Sequence, residues 1–236
     1  MSDDTFFDTF CRQSLSSRSR FSALGGRQCH FGVGHEGKCN EFPFLAHLSK
    51  VAPRVADKIE RDSTHTTGAA WKSEEAGPNR ILRWVMLASD EDLLAHGINM
   101  ANLKPQVIAK LREKAADYNS CVRVAMWLTY SCYQMPDAPE CAPEIKAYLE
   151  SKFGPMQPGT TTCAICLIPL SFKLFDEARR GKATIETCHK DPRFHAPGNV
   201  GFAHRDCNIA QGAKTLDEFY DWITGIVKRA RPEIIA

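Results

Sequence analysis

No stretch of this sequence approaches the ~20 consecutive apolar residues that a membrane-spanning helix requires. The longest candidate, Ile81 to Ala88, is interrupted by Arg83, so no membrane partner is expected. A charge surplus is also missing: 30 Lys and Arg face 28 Asp and Glu, a net charge of +2. That near-balance rules out the strong overall basicity of many nucleic-acid binders and moves the question to local patches. There is no internal repeat and no low-complexity tract, which excludes solenoids and compositionally disordered chains. No secretory pattern opens the chain either. Met1, Ser2, Asp3 and Asp4 are acidic and polar, and no apolar segment follows. The expected location is therefore the cytoplasm, where thiols stay reduced or bind metal rather than pair as disulfides. Cysteine itself is plentiful, with 10 residues, and 43% hydrophobic content suffices for a buried core.

The texture of the chain changes twice. Residues 1–40 are irregular and rich in Ser, Arg and Gly, and hold Cys29, His30, His35 and Cys39 within eleven residues. That group is a conceivable second metal site, but its spacing fits no strong template. From 41 to 153 the pattern is helical. Phe42, Phe44, Leu45, Leu48, Val51, Val55 and Ile59 recur at three- and four-residue steps, as do Ile81, Leu82, Val85 and Met86. Leu103 to Tyr118 predicts a helix with Pro105 in its first turn and Val107, Ile108, Leu111 and Ala115 on one side. Cys121 to Tyr133 is apolar nearly all round and predicts a buried central helix, with a shorter amphipathic one from 142 to 153. The segment from Gly154 to Gly159 carries two prolines and reads as a linker. Beyond it come a short helix-like piece at 173–180, a β-branched strand at 183–188, a second short strand at 199–202, and helices at 204–212 and 216–231. The fold class expected is α+β: a mostly helical region over 1–158 and a smaller C-terminal unit over 159–236.

Within that unit, Cys163 and Cys166 form one pair and His204 and Cys207 another, with 37 residues between them. Pairs separated by two residues can each turn two donors toward one metal. Together they make the four-coordinate Cys₃His shell that zinc favours, closed and therefore structural. Four thiophilic residues scattered by chance are the competing reading, which two pairs at this spacing weaken. His189 and Asn199 lie inside the enclosed segment, and Asn208 directly follows the last ligand. Taken singly, each has an ordinary explanation: a hydrogen-bonded strand-end histidine, a turn asparagine after Gly198, a helix-surface amide.

Taken jointly, residues 163–212 resemble the HNH, or ββα-metal, nuclease family in its zinc-stapled branch. The block from Asn199 to Gly212 follows the family's asparagine–knuckle–asparagine order, and also resembles the zinc-bearing phage Holliday-junction resolvases. The resemblance implies a C-terminal ββα-metal module in which His189 is the general base, Asn199 steadies the ring, and Asn208 ligates a catalytic Mg²⁺ or Mn²⁺. The chemistry suits these types: an imidazole can accept a proton from water near neutral pH, and a hard cation takes oxygen ligands. One departure stands out. The family's metal-binding acid before the base is Cys188 here, a soft ligand, so Glu186 or Asp191 is a candidate to supply the missing oxygen. From 172 to 214, eight Lys and Arg outnumber five Asp and Glu. Lys190, Arg193, His195 and Arg205 are accordingly the expected phosphate contacts, although His195 also fits a solvent-exposed loop. The implied function is a restriction-type DNA endonuclease of bacterial or phage origin acting on double-stranded DNA, with a homodimer for palindromic sites. A structure-selective resolvase and a zinc-stapled DNA-binding regulator with a decayed core are the alternatives.

Overall fold

The structure is a computed structural model and describes residues 41–73, 77–179 and 182–234. The cluster Cys29, His30, His35 and Cys39 lies outside the described residues. Helices and small antiparallel sheets combine into an α+β fold. Among the described residues no helix is long and apolar enough to cross a membrane.

The first predicted apolar face forms in two pieces and without Val51, which is 50% exposed. Helix α1 (Ala46–Val51) stops before Pro53, which lacks an N–H and opens α2 (Pro53–Thr64) at a first-turn position that suits its fixed φ. Phe44, Leu48 and Ile59 from this stretch are fully buried. Residues 65–82 depart from the predicted helical texture. They form an antiparallel hairpin of β1 (His65–Ser73) and β2 (Gly77–Leu82), with His65 opposite Leu82 and Thr66 opposite Ile81. Consecutive β-branched Thr66 and Thr67 and the pair Gly77-Pro78 disfavour helix. Ile81, Leu82, Val85 and Met86 are buried as predicted, yet through a strand and the 3₁₀ turn Arg83–Leu87.

Helix α3 (Asp90–Ala95) is capped by Ser89, and α4 (Pro105–Glu113) begins at the predicted proline. Helix α5 (Tyr118–Tyr133) is the buried central helix; Asp117 caps it by accepting a hydrogen bond from Ser120 N at 2.8 Å. Helix α6 (Pro143–Phe153) ends at Gly154, whose φ of 89° is open to glycine at little cost. The predicted linker follows, but it is fastened to the end of α5. Gly159 N donates to Gln134 O at 2.8 Å and Gln157 N to Gln134 Oε1 at 2.9 Å.

The helix-like piece predicted at 173–180 is instead a 3₁₀ turn, Phe172–Phe175, followed by a two-residue hairpin of β3 (Ala178–Arg179) and β4 (Lys182–Ala183). Strand β5 (Ile185–His189) then pairs antiparallel with β6 (Val200–His204), Cys188 opposite Gly201 and His189 opposite Val200. Helix α7 (Arg205–Gln211) continues from β6, and α8 (Leu216–Ala230) opens with a capping box between Thr215 and Glu218. One core cluster joins Phe44, Leu48, Val122 and Leu149 to Ile165, Ile185, Phe202 and Phe219, so apolar packing runs across position 158. Trp127 Nε1 of α5 also donates to Val200 O of β6 at 3.0 Å. A second cluster around Trp84, Met86, Leu93 and Leu111 supports the β1–β2 hairpin.

Candidate functional site

The ligand atoms of Cys163, Cys166, His204 and Cys207 all lie within 4.8 Å of one another. A tight turn builds the first pair: Cys163 N donates to Ile168 O and Leu167 N to Cys163 O, while Cys166 N points at Cys163 Sγ at 3.5 Å. Strand β6 delivers His204 at its end, and the first turn of α7 delivers Cys207. The turn is docked on β6 by Ala164 N donating to Phe202 O at 2.9 Å. Gly201 permits that approach, because a Cβ there would stand 3.3 Å from Ala164 Cβ. Tyr220 of α8 donates its hydroxyl to Ile165 O and holds the turn from the other side. Burial, then the crowding Cys166 and Cys163 thiols, push Cys207 up to about 12. Three cysteines and one histidine this close are a borderline-soft donor set that could hold one tetrahedral metal ion.

His189 ends β5 and lines a cleft of about 660 Å³. Its Nε2 lies 3.0 Å from His195 Nδ1, and His195 Nε2 lies 2.7 Å from Ser63 O at the end of α2. Burial, then the Arg83 and Lys114 charges, push His189 down to about 3. Burial, then Arg83 and His189, likewise hold His195 well below the ordinary imidazole value. His195 is thus corrected from a surface or phosphate-facing loop residue to a buried one, 5% exposed. Asn199 does not touch the His189 ring. Its Oδ1 accepts from Asp191 N at 2.7 Å, and its Nδ2 donates to Asp191 O and Phe194 O, so it fixes the 190–199 loop that carries His195. Sequence gave no hint of Gln211, which is buried and donates through Nε2 to His189 O at 2.9 Å and to Lys214 O at 2.9 Å.

Asn208 of α7 lines the same cleft and donates from Nδ2 to Glu186 Oε2 at 2.9 Å. Cys188 does not line it. Cys188 is instead part of the core, 2% exposed, opposite Gly201 of β6. Burial, then the Cys163 thiol, push it up to about 12. The position expected to supply a metal ligand is therefore occupied by a protonated core thiol, and Glu186 is the acid beside Asn208. Asp191 instead sits outside, 3.0 Å from Arg193. Of the expected phosphate contacts, Lys190 and Arg193 are exposed, whereas Arg205 is in ion-pair contact with Glu186 at 3.0 Å.

The opposite wall comes from the N-terminal region and was not legible in the sequence. Asp62 of α2 accepts from Thr187 Oγ1 of β5 at 3.1 Å and is paired with Lys58 at 2.7 Å and Arg61 at 3.1 Å. Burial would raise the Asp62 carboxyl, but Lys58 and Arg61 hold it below the usual range. Arg83 is buried in this wall and donates to Lys114 O at 3.0 Å. A Lys58–Asp62 pair four residues apart on a helix reads as a solvated face from sequence alone, since only the tertiary fold brings it to His189.

Comparison with known proteins gives the lineage. The DraIII family profile matches residues 41–207. A solved structure described as the crystal structure of a type II restriction endonuclease is 43% identical, with a TM-score of 0.82, covering 94% of this chain and 98% of that one. No curated protein matches. With most of its length matched by the family profile and a full-length structural relative at this identity, the chain belongs to the DraIII family.

Proposed function

We propose that this chain is a type II restriction endonuclease that hydrolyses phosphodiester bonds of double-stranded DNA through an HNH-type, ββα-metal site. The observation that carries the reading is the convergence of His189, Asn208 and Glu186 on one cleft formed by β5 and α7, next to the Cys₃His cluster. Support also comes from the 43% identical relative described as a type II restriction endonuclease. Residues 159–236 carry the chemistry in this reading, and residues 1–158 carry DNA recognition and scaffold.

The Cys₃His donors fit a structural Zn²⁺, because four protein ligands leave no position open for chemistry. The Glu186 carboxylate and the Oδ1 of Asn208, whose Nδ2 donates to Glu186, are oxygen donors that would suit a hard divalent ion, Mg²⁺ or Mn²⁺. Such an ion, when bound, offsets the phosphate charge and stabilises the leaving oxygen. His189 accepts the proton of the attacking water at the ring nitrogen that does not face His195. At neutral pH its surroundings keep it uncharged, so the lone pair is free. Lys58, Arg61 and Lys114 on the opposite wall attract the DNA backbone, with Lys190 and Arg193 on the outer loop. Cys188 is no mark of a decayed core in this reading, since Glu186 supplies the acid its position lacks. Palindromic recognition would match a homodimer.

Plasmid cleavage with Mg²⁺ or Mn²⁺ tests the proposal. Discrete fragments are expected, and His189→Ala should cut the rate at least ~10²-fold while folding, metal content and DNA binding persist. Wild-type cleavage by His189→Ala would remove the base. Cleavage confined to branched DNA would identify a resolvase, and binding without any cleavage a regulator.

A further inference from the structure

We infer that His195 is the positioning residue of the site: it fixes which nitrogen of His189 holds the lone pair, and ties that choice to helix α2 through the Ser63 carbonyl. The inference rests on the nuclease reading above for its catalytic consequence, but its structural content stands on the hydrogen-bond chain itself.

The direction of the chain follows from what each atom can do. A carbonyl oxygen only accepts, so across the 2.7 Å contact to Ser63 O the proton sits on His195 Nε2. Ser63 is in the last turn of α2, where carbonyls lack a helical partner and carry the negative end of the helix dipole. A neutral imidazole with a proton on Nε2 has its lone pair on Nδ1. His195 Nδ1 therefore accepts across the 3.0 Å contact, and His189 Nε2 must be the donor. His189 is then left with its lone pair on Nδ1. Moving the proton to the other nitrogen of either ring would set two donors or two acceptors against each other inside a buried site, leaving a polar group unpaired.

The positions involved are not neighbours in sequence: Ser63 and His195 are 132 residues apart. Two supports hold the chain in register. Asn199 fixes the loop that carries His195, and Gln211 holds the His189 backbone from α7. Helix α2 also carries Lys58, Arg61 and Asp62 of the cleft wall, so the element that faces the DNA backbone is the one that ends the chain.

The test compares two variants in the full-length protein. Asn can offer Oδ1 near the place of His195 Nδ1, whereas Leu offers no acceptor. His195→Leu should lower kcat by about 10- to 100-fold with KM within about twofold, the scale on which partners that orient a working group act. His195→Asn should recover most of that loss. Independently, ¹⁵N-resolved imidazole spectra of the wild-type protein near neutral pH should show His189 protonated on Nε2 and bare on Nδ1. Wild-type turnover in His195→Leu overturns the inference, as does a His195→Asn variant as slow as the leucine variant. A His189 ring protonated on Nδ1 overturns it without any variant, so a leucine variant that fails to fold still leaves a decision. If His189→Ala cleaves at the wild-type rate, it is the nuclease reading that fails instead.

Discussion

At the scale of single residues, the site depends on polar groups whose partners lie on other elements. Asn199 makes three hydrogen bonds within the 190–199 loop, and Asn199→Ala leaves Asp191 N, Asp191 O and Phe194 O without them. The expected cost is about 1–3 kcal/mol, with cleavage falling further than stability because the loop carries His195; paired thermal melts and cleavage rates check it. Acid sensitivity is also set here. An unfolded His189 would titrate near 6.5, while in the fold it is pushed down to about 3. Between those values the unfolded chain binds a proton that the folded chain refuses, so stability is full above 6.5 and declines as pH falls through the window. Melts between pH 7.5 and 4.5 should show a shallower decline in His189→Gln than in wild type, and equal slopes would contradict the assignment. The positions of His189 and Asn208 on one cleft were legible because their spacing around the cysteine pairs survives in one dimension, whereas Asn199 was singled out for a contact other than the ones it makes. Ser63, Asp62, Arg83 and Gln211 were not, since nothing local separates a helix-end carbonyl or a helix-surface ion pair that meets the site from one that meets water.

At the scale of elements, the short β5–β6–α7 unit is where a bound metal would add most to stability. β5 and β6 have five residues each and α7 has seven, too few to be stable alone. Cys166 is exposed, so replacing it removes a ligand with little loss of packing. Cys166→Ala should abolish tight zinc binding and destabilise this unit by up to about 10 kcal/mol, as chelation should in wild type. Zinc content and melting temperature read it out; unchanged values for both would remove zinc from the cluster. Helices α1, α2, α5, α6, α7 and α8 lie where periodicity and proline placed them, whereas α4 starts at its proline but stops at Glu113, short of the expected Tyr118. The β1–β2 hairpin was missed because apolar residues at 81, 82, 85 and 86 suit a helix face or a strand running into a 3₁₀ turn equally well. The β3–β4 hairpin escaped for a plainer reason: with two residues in each strand it holds too little sequence for any period to show.

At the scale of the whole molecule, the core runs through the region where composition suggested a linker. Phe202 of β6 is 1% exposed, stands 5.3 Å from Phe175 edge to face, and belongs to the cluster that includes Leu48 and Val122. Phe202→Ala should cost about 3–5 kcal/mol, and the loss should appear in one cooperative transition rather than in a C-terminal event of its own. Calorimetry decides this: two resolved transitions in wild type would mean that the cluster does not couple the halves. The sequence composition marks a change of texture near residue 158, but texture records solvent and turns, whereas coupling is recorded in side chains such as Trp127 that no linear pattern assigns to a partner.

The bond from Trp127 to Val200, 73 positions away, bears on how such enzymes diversify. A chimera that joins the first 158 residues of one relative to the remainder of another inherits half of two different cores. New cutting specificities in this lineage are therefore expected to arise by drift of exposed side chains and loops on an intact frame, not by recombination of ready-made parts. Shuffled libraries split at that point should yield soluble protein far more rarely than libraries that vary the solvent-facing positions of α2.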